Sequence, residues 1–169
     1  GDSELDNGNG SLMRISPLFL YLQNHFGEMA FDNNKAFEIV HNVSRLTHAH
    51  PIALIGCDIY IAVLLKLFNG SEKNEALTEG FEQIKKFVSK NKDFEYAFAK
   101  YKRLGYIDFP SLPETKISSK GYVVDTLEAA LWCFLTTDSY KECILKILKL
   151  GNDTDTIGAV AGAMAGIYY

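Results

Sequence analysis

The stretch Gly151-Asn152-Asp153-Thr154-Asp155-Thr156-Ile157-Gly158-Ala159-Val160-Ala161-Gly162-Ala163 reads as a helix stop followed at once by a helix start, and that reading sets the fold class. Gly151 ends one helix. Asp153 caps the next, whose first turn holds Thr154, Asp155 and Thr156. Three oxygen-bearing side chains, Asp153, Asp155 and Thr156, are thereby gathered in one place. Carboxylate and hydroxyl oxygens suit a hard divalent ion such as magnesium or manganese, whereas zinc would call for histidine or cysteine. A helix start carries partial positive charge, so the paired carboxylates must outweigh its repulsion of a cation. Gly158, Gly162 and Gly166 each cost about 1 kcal/mol against alanine inside a helix. A smooth face that lets another helix or a ligand approach the backbone would compensate. In an isolated Asp-Thr-Asp-Thr run a plain helix cap is the commoner reading, and both readings stay open at this point.

Upstream of this stretch, helical periodicity recurs from about residue 33, and no strand alternation appears. The expected class is all-α. Ala36, Ile39, Val40 and Val43 form a stripe after Asp32-Asn33-Asn34, which can cap a helix. An apolar helix spans 51 to 68, and Gly70-Ser71 separates it from a helix marked by Leu77, Phe81, Ile84 and Val88. Phe94, Ala97, Phe98 and Tyr101 continue in another, which Gly105 can end. Pro110, Pro113 and several hydroxyls between 106 and 120 mark a long loop of the kind that borders a site. Leu127, Ala130, Leu131 and Phe134 face one helix. Thr137-Asp138-Ser139 caps the next, with Cys143, Ile144, Ile147 and Leu148 on its face.

A chain of 169 residues that is 47% hydrophobic is large enough for one domain with a real core. A net charge of -4 and a pI of about 5.6 offer no general attraction to nucleic acid or anionic lipid, so neither is an expected partner. Cys57, Cys133 and Cys143 lie far apart within apolar runs, as expected for buried thiols in a reducing compartment. Gly1-Asp2-Ser3-Glu4 lacks the features of a secretory signal, which makes cytoplasm the expected location. The longest apolar run, Ile52 to Leu65, is interrupted by Asp58 and falls short of the roughly 20 residues that cross a bilayer. It reads as a core helix, and no membrane segment is expected.

The closing stretch resembles the metal motif that ends the ADP-ribosylglycohydrolase pattern. Three further segments match that family in order: Gly8-Asn9-Gly10-Ser11-Leu12-Met13-Arg14-Ile15-Ser16-Pro17, then Leu46-Thr47-His48-Ala49-His50-Pro51, then Gly121-Tyr122-Val123-Val124-Asp125-Thr126-Leu127-Glu128-Ala129-Ala130-Leu131. The resemblance implies an all-α orthogonal bundle in which two magnesium or manganese ions lie between the closing motif and an early Thr-Asp-Asp segment. It makes Asp153, Asp155 and Thr156 metal ligands, with Asp153 and Asp155 the catalytic carboxylates. It places Gly8, Asn9, Gly10, Ser11, Met13, His48, Gly151 and Asn152 around ADP-ribose.

Beside that resemblance, the residues have plainer readings. Gly-Asn-Gly is an ordinary turn in most chains, although its backbone N–H groups could face phosphate and Asn9 could bond ribose hydroxyls. His48 alone reads as a residue at a helix start, and His50 before Pro51 as a solvated turn residue. Arg14 is expected to pair with a carboxylate that positions its loop. Asp58 could support the site or form a paired core carboxylate. Tyr122 is expected to pack at the core or rim rather than to stack on adenine.

No Thr-Asp-Asp segment is present, so residues 1–169 are expected to be the C-terminal portion of one such domain, without its N-terminal helices. The missing part would be a separate chain or fragment, and this chain alone would show little turnover. The expected activity is removal of ADP-ribose from a protein side chain. Two alternatives remain: a noncatalytic module that binds ADP-ribose or a nucleotide, and a structural relative of the crystallin type.

Overall fold

The computed structural model describes residues 7–169, so the reading of Gly1-Asp2-Ser3-Glu4 lies outside the described residues. The fold is all-α, as expected. Eight helices are described: α1 (Leu18–Phe26), α2 (Asn34–Arg45), α3 (Pro51–Phe68), α4 (Lys73–Lys90), α5 (Glu95–Ala99), α6 (Val123–Leu135), α7 (Tyr140–Leu150) and α8 (Thr154–Tyr168). Among the described residues the only β pairing noted is an isolated antiparallel bridge between Gly8 and Tyr122.

The bundle is built around α3. Every residue from Ile52 to Leu67 is buried, so the helix has no solvent face, as its apolar residues on all sides dictate. It touches α1, α2, α4, α5, α6 and α8. By length and composition α3 is the one described helix that could cross a membrane, yet 83% of it is buried within the fold. Each leucine or isoleucine buried there contributes about 1.5–3 kcal/mol of transfer free energy. On the far side, α8 packs against both α6 and α7, which carries its start toward the loop that precedes α6.

Several local expectations need correction. The helical pattern begins earlier than residue 33, because α1 follows Pro17, and Phe19 and Leu22 anchor it in the core. The buried face of α2 is Ala36, Phe37, Val40, His41 and Ser44, with Ile39 and Val43 only half-buried. The helix expected across 94 to 101 is broken into α5 and flanking 3-10 turns, and Tyr101 turns inward to donate a hydrogen bond to the Ile52 carbonyl at 2.8 Å. On α7, Cys143 and Ile147 are buried but Leu148 faces solvent. The caps at Asn33 and Ser139 form as expected, each side chain accepting from a backbone N–H two or three residues on.

The glycines of α8 do not mark a close helix approach. A Cβ at Gly158 would meet nothing within 4 Å, and one at Gly162 would come no nearer than 3.6 Å to Tyr140. Gly166 likewise meets only Tyr140, at 4.0 Å. Nothing among the described residues requires glycine there.

Candidate functional site

Gly151 stands at φ 71 and ψ −166, a conformation that only glycine adopts readily, and it ends α7 as expected. Asn152 follows at φ 58, in the left-handed region where asparagine is among the better tolerated residues. This sharp reversal lets α8 start beside the loop before α6. The Asp153 backbone N–H donates to the Ser119 carbonyl at 3.1 Å, and the Asn152 amide donates to the Ser119 hydroxyl at 2.9 Å.

Asp153 is the N-cap residue, yet its side chain makes no regular capping hydrogen bond. It accepts a hydrogen bond at 2.6 Å from the side-chain amide of Asn9, which lies 144 residues away in the chain. The carboxylate thus reaches out to the Gly8-Asn9-Gly10 loop as well as to Thr156 in the first turn of its own helix. Burial pushes the pKa of Asp153 up, but hydrogen bonds from Asn9 and the nearby Thr156 and Asp155 outweigh it and hold the carboxyl below its ordinary value. Asp153 is therefore anionic at neutral pH.

The Asn9 loop is tied down on the other side as well. Asn9 also donates to the Thr126 hydroxyl at 2.8 Å, and the Val123 N–H at the start of α6 donates to the Asn7 carbonyl at 3.0 Å. His48 packs across both glycines. A Cβ at Gly10 would lie 2.8 Å from His48 Cε1, and one at Gly8 would lie 3.4 Å from Nε2. Neither glycine is in the left-handed region, so proximity to His48, rather than backbone geometry, favours glycine at position 10. His48 Nδ1 lies 2.9 Å from the Thr47 hydroxyl, which in turn accepts from Arg14 at 2.8 Å.

The structure thus brings Gly8, Asn9, Gly10, His48, Asn152 and Asp153 into one cluster at the N-terminal ends of α6 and α8. Ser11 is fully buried with its hydroxyl facing the Cys57 thiol, so its side chain points away from the surface, while Met13 is exposed. Arg14 does not pair with a carboxylate; it donates to the carbonyls of Val43 and Ser44 and to Thr47, at the negative end of α2. His50, not His48, starts a helix: its Nδ1 accepts from the Ile52 N–H at 3.3 Å as the cap of α3. Asp58 is a core carboxylate paired with His41 at 2.7 Å. Tyr122 is half-buried against the core. Ser119, Gly121 and Thr126 also belong to the cluster; they fall in the loop expected to border a site and in the matched Gly121 to Leu131 segment, but neither marks them singly.

A sequence model described as ADP-ribosylglycohydrolase matches residues 1–169. The chain belongs to the ADP-ribosylglycohydrolase family. It is similar to the ADP-ribosylarginine hydrolase Tri1 of Pseudomonas putida (strain GB-1), at 26% identity over 162 residues that cover 96% of this chain and 38% of that protein. It is also similar to the ADP-ribosyl-[dinitrogen reductase] glycohydrolase of Rhodospirillum rubrum, at 29% identity over 167 residues, or 99% of this chain and 48% of that protein. Among solved structures, an ADP-ribosylglycohydrolase-related protein complex matches with a TM-score of 0.74 and 29% identity, covering 99% of this chain and 52% of that one. The chain spans about half or less of the length of these relatives.

Within this family member, the donors suited to a divalent ion are hard oxygens throughout. Asp153 is held anionic, Asp155 is exposed on the first turn of α8, and Thr156 is buried beside them. Among the described residues no group of three or more His, Cys, Asp or Glu side chains converges as a metal shell. Asp153, Asp155 and Thr156 accordingly fit as part of a coordination sphere rather than the whole. The cavities of about 500 Å³, beside Phe81 and Tyr106, and about 480 Å³, beside Lys146, are lined by other residues.

Proposed function

We propose that this protein is a metal-dependent ADP-ribosyl hydrolase, cleaving the glycosidic bond that joins ADP-ribose to a protein side chain. The observation that carries the reading is the Asn9 to Asp153 hydrogen bond, which joins the glycine loop and the closing acidic motif in one site. Family membership and the names of the relatives point to the same reaction class.

In this reading Asp153, Asp155 and Thr156 hold magnesium or manganese, with further ligands supplied from a part of the protein outside this chain. When bound, such ions neutralise charge and orient ribose hydroxyls. Gly8, Gly10 and Met13 edge the ADP-ribose, and the His48 ring packed over the glycines limits how deep the ligand can sit. Gly151 and Asn152 shape the turn that presents Asp153. Three free, buried cysteines agree with a reducing compartment, and we place the protein in the cytoplasm.

The test is hydrolysis of ADP-ribosyl-arginine by the intact protein and by its Asp155→Ala variant. Loss of one metal carboxylate removes several kcal/mol of charge stabilisation, so the rate should fall by about 100-fold or more. Equal rates would refute the metal role. ADP-ribose binding that ignores divalent ions, without turnover, would favour a noncatalytic module instead.

A further inference from the structure

We propose that Thr126 is a positioning residue for Asp153, acting through the side-chain amide of Asn9; the proposal rests on the metal-site reading above. Thr126 lies in the first turns of α6 and is fully buried, and Asn9 is nearly so. One hydrogen of the Asn9 amide nitrogen goes to Thr126 Oγ1 at 2.8 Å, and the other goes to Asp153 Oδ2 at 2.6 Å. Both donors of one NH2 group are therefore committed.

The direction of this chain of bonds follows from proton counting. Thr126 has a single hydroxyl proton, and it is directed to the Lys120 carbonyl at 3.3 Å. Only lone pairs remain to face Asn9. If the Asn9 amide were turned over, its carbonyl oxygen would meet the Asp153 carboxylate with no proton in the gap, and the Thr126 hydroxyl would have to leave the Lys120 carbonyl to bond it. The Asp153 carboxylate, which can only accept, sets which end of Asn9 faces it; Thr126 takes the second hydrogen of that amide and so fixes where its nitrogen stands, and Asn9 fixes which carboxylate oxygen is spoken for.

The segment before α6 adds the remaining constraints. The Ser119 carbonyl holds the Asp153 backbone, and Gly121 leaves the space that Oδ2 occupies, since a Cβ there would stand 3.2 Å from it. The hydroxyl of Thr126 caps nothing in its own helix; both of its partners, Asn9 and Lys120, lie outside α6. A buried hydroxyl used in this way makes sense if the orientation of the Asp153 carboxylate matters, as it does for a metal ligand, whose supporting hydrogen bonds are typically worth about 10- to 100-fold in affinity.

The experiment is a manganese titration of the intact protein without substrate, followed by electron paramagnetic resonance, on wild type, Thr126→Val, Thr126→Ser and Asp155→Asn. The expected result is manganese affinity about 10- to 100-fold weaker in Thr126→Val, within about threefold of wild type in Thr126→Ser, and largely lost in Asp155→Asn. If Asp155→Asn loses the ion while Thr126→Val keeps it, the positioning role is overturned and the metal site stands. Serine that fails to restore affinity assigns the loss to methyl packing and also overturns the role. If Asp155→Asn binds manganese like wild type, the metal reading fails and this proposal goes with it. Should Thr126→Val not fold, amide exchange in the wild type decides: both Asn9 side-chain protons should be shielded, and fast exchange of either one overturns the proposal.

Discussion

Replacing Gly10 with alanine probes the ligand loop directly, because the structure gives the size of the collision. The added Cβ would sit 2.8 Å from His48 Cε1, where ordinary contact begins at 3.4 Å, so the ring must retreat by the difference. It cannot do so freely. Its Nδ1 is engaged with the Thr47 hydroxyl, which also receives the Arg14 guanidinium, so displacement loosens a chain of three side chains anchored on α2. Overpacking of this kind costs about 1–3 kcal/mol. The backbone at Gly10 is not left-handed, so alanine also stiffens the unfolded chain and returns about 0.4–1 kcal/mol. The net loss of stability should be about 1–2 kcal/mol. A histidine moved off the glycine loop changes the floor on which the ligand sits and should weaken ADP-ribose binding by about tenfold. Gly8→Ala is the internal control: its Cβ would lie 3.4 Å from His48 Nε2, an ordinary contact, and its effects should stay within about threefold in affinity. Thermal melting, calorimetry with ADP-ribose and the His48 Cε1–H resonance read the three consequences. A Gly10→Ala protein with wild-type melting, wild-type affinity and an unmoved His48 resonance would refute the reasoning.

Two further predictions concern the core. Burial raises the Glu128 carboxyl to about 7, against the pull of Arg103 at 3.0 Å and with a smaller push from Asp125. The folded state therefore holds a proton that the unfolded chain releases near pH 4.5, so this group's contribution falls as pH rises from about 4.5 to 7, by up to about 3 kcal/mol. Urea midpoints across that range should decline less in Glu128→Gln than in wild type, and parallel slopes would contradict the assignment. His41→Leu leaves the Asp58 carboxylate in the core, where one oxygen already has no hydrogen-bond partner, and should cost about 3–5 kcal/mol. The double variant His41→Leu/Asp58→Leu should recover most of that loss in thermal melts; a single variant as stable as wild type would show that the pair carries no such weight.

Helices were legible where one face carries the apolar residues. Leu77, Phe81, Ile84 and Val88 are all buried on α4, and the long apolar run of α3 matches its central position. Legibility failed where a polar residue takes a core position or a long apolar residue takes a surface one. His41 and Ser44 are buried on α2 because Asp58 and the His48 carbonyl receive them, partners that lie beyond the helix and leave no mark on its period. Leu148 is exposed on α7, at a position whose spacing alone puts it with Cys143 and Ile147. The glycines of α8 show the converse, since a composition that suggests close packing faces open space at Gly158 and ordinary contacts beyond it.

The candidate site was legible as types of residue but not as a circuit. Oxygen donors at a helix start are visible in Asp153, Asp155 and Thr156, and glycines beside an asparagine are visible at 8 to 10. What the order of residues could not supply is the contact between them. Thr156 in its own helix could have been enough for Asp153, and Asn9 could have closed its own turn; the two also bond to each other across 144 residues, because α8 packs on α6 and the start of α6 binds the chain at Asn7. Thr126 is visible only as one hydroxyl within the Gly121 to Leu131 segment, with nothing to name its partner, yet it takes the second hydrogen of the Asn9 amide. Polar groups in a fold must all be satisfied, and the choice among equally good local partners is made by packing that brings a distant one closer. Orientation at this site is therefore a property of the α6 and α8 contact, and substitutions that shift that contact should act on Asp153 without touching it.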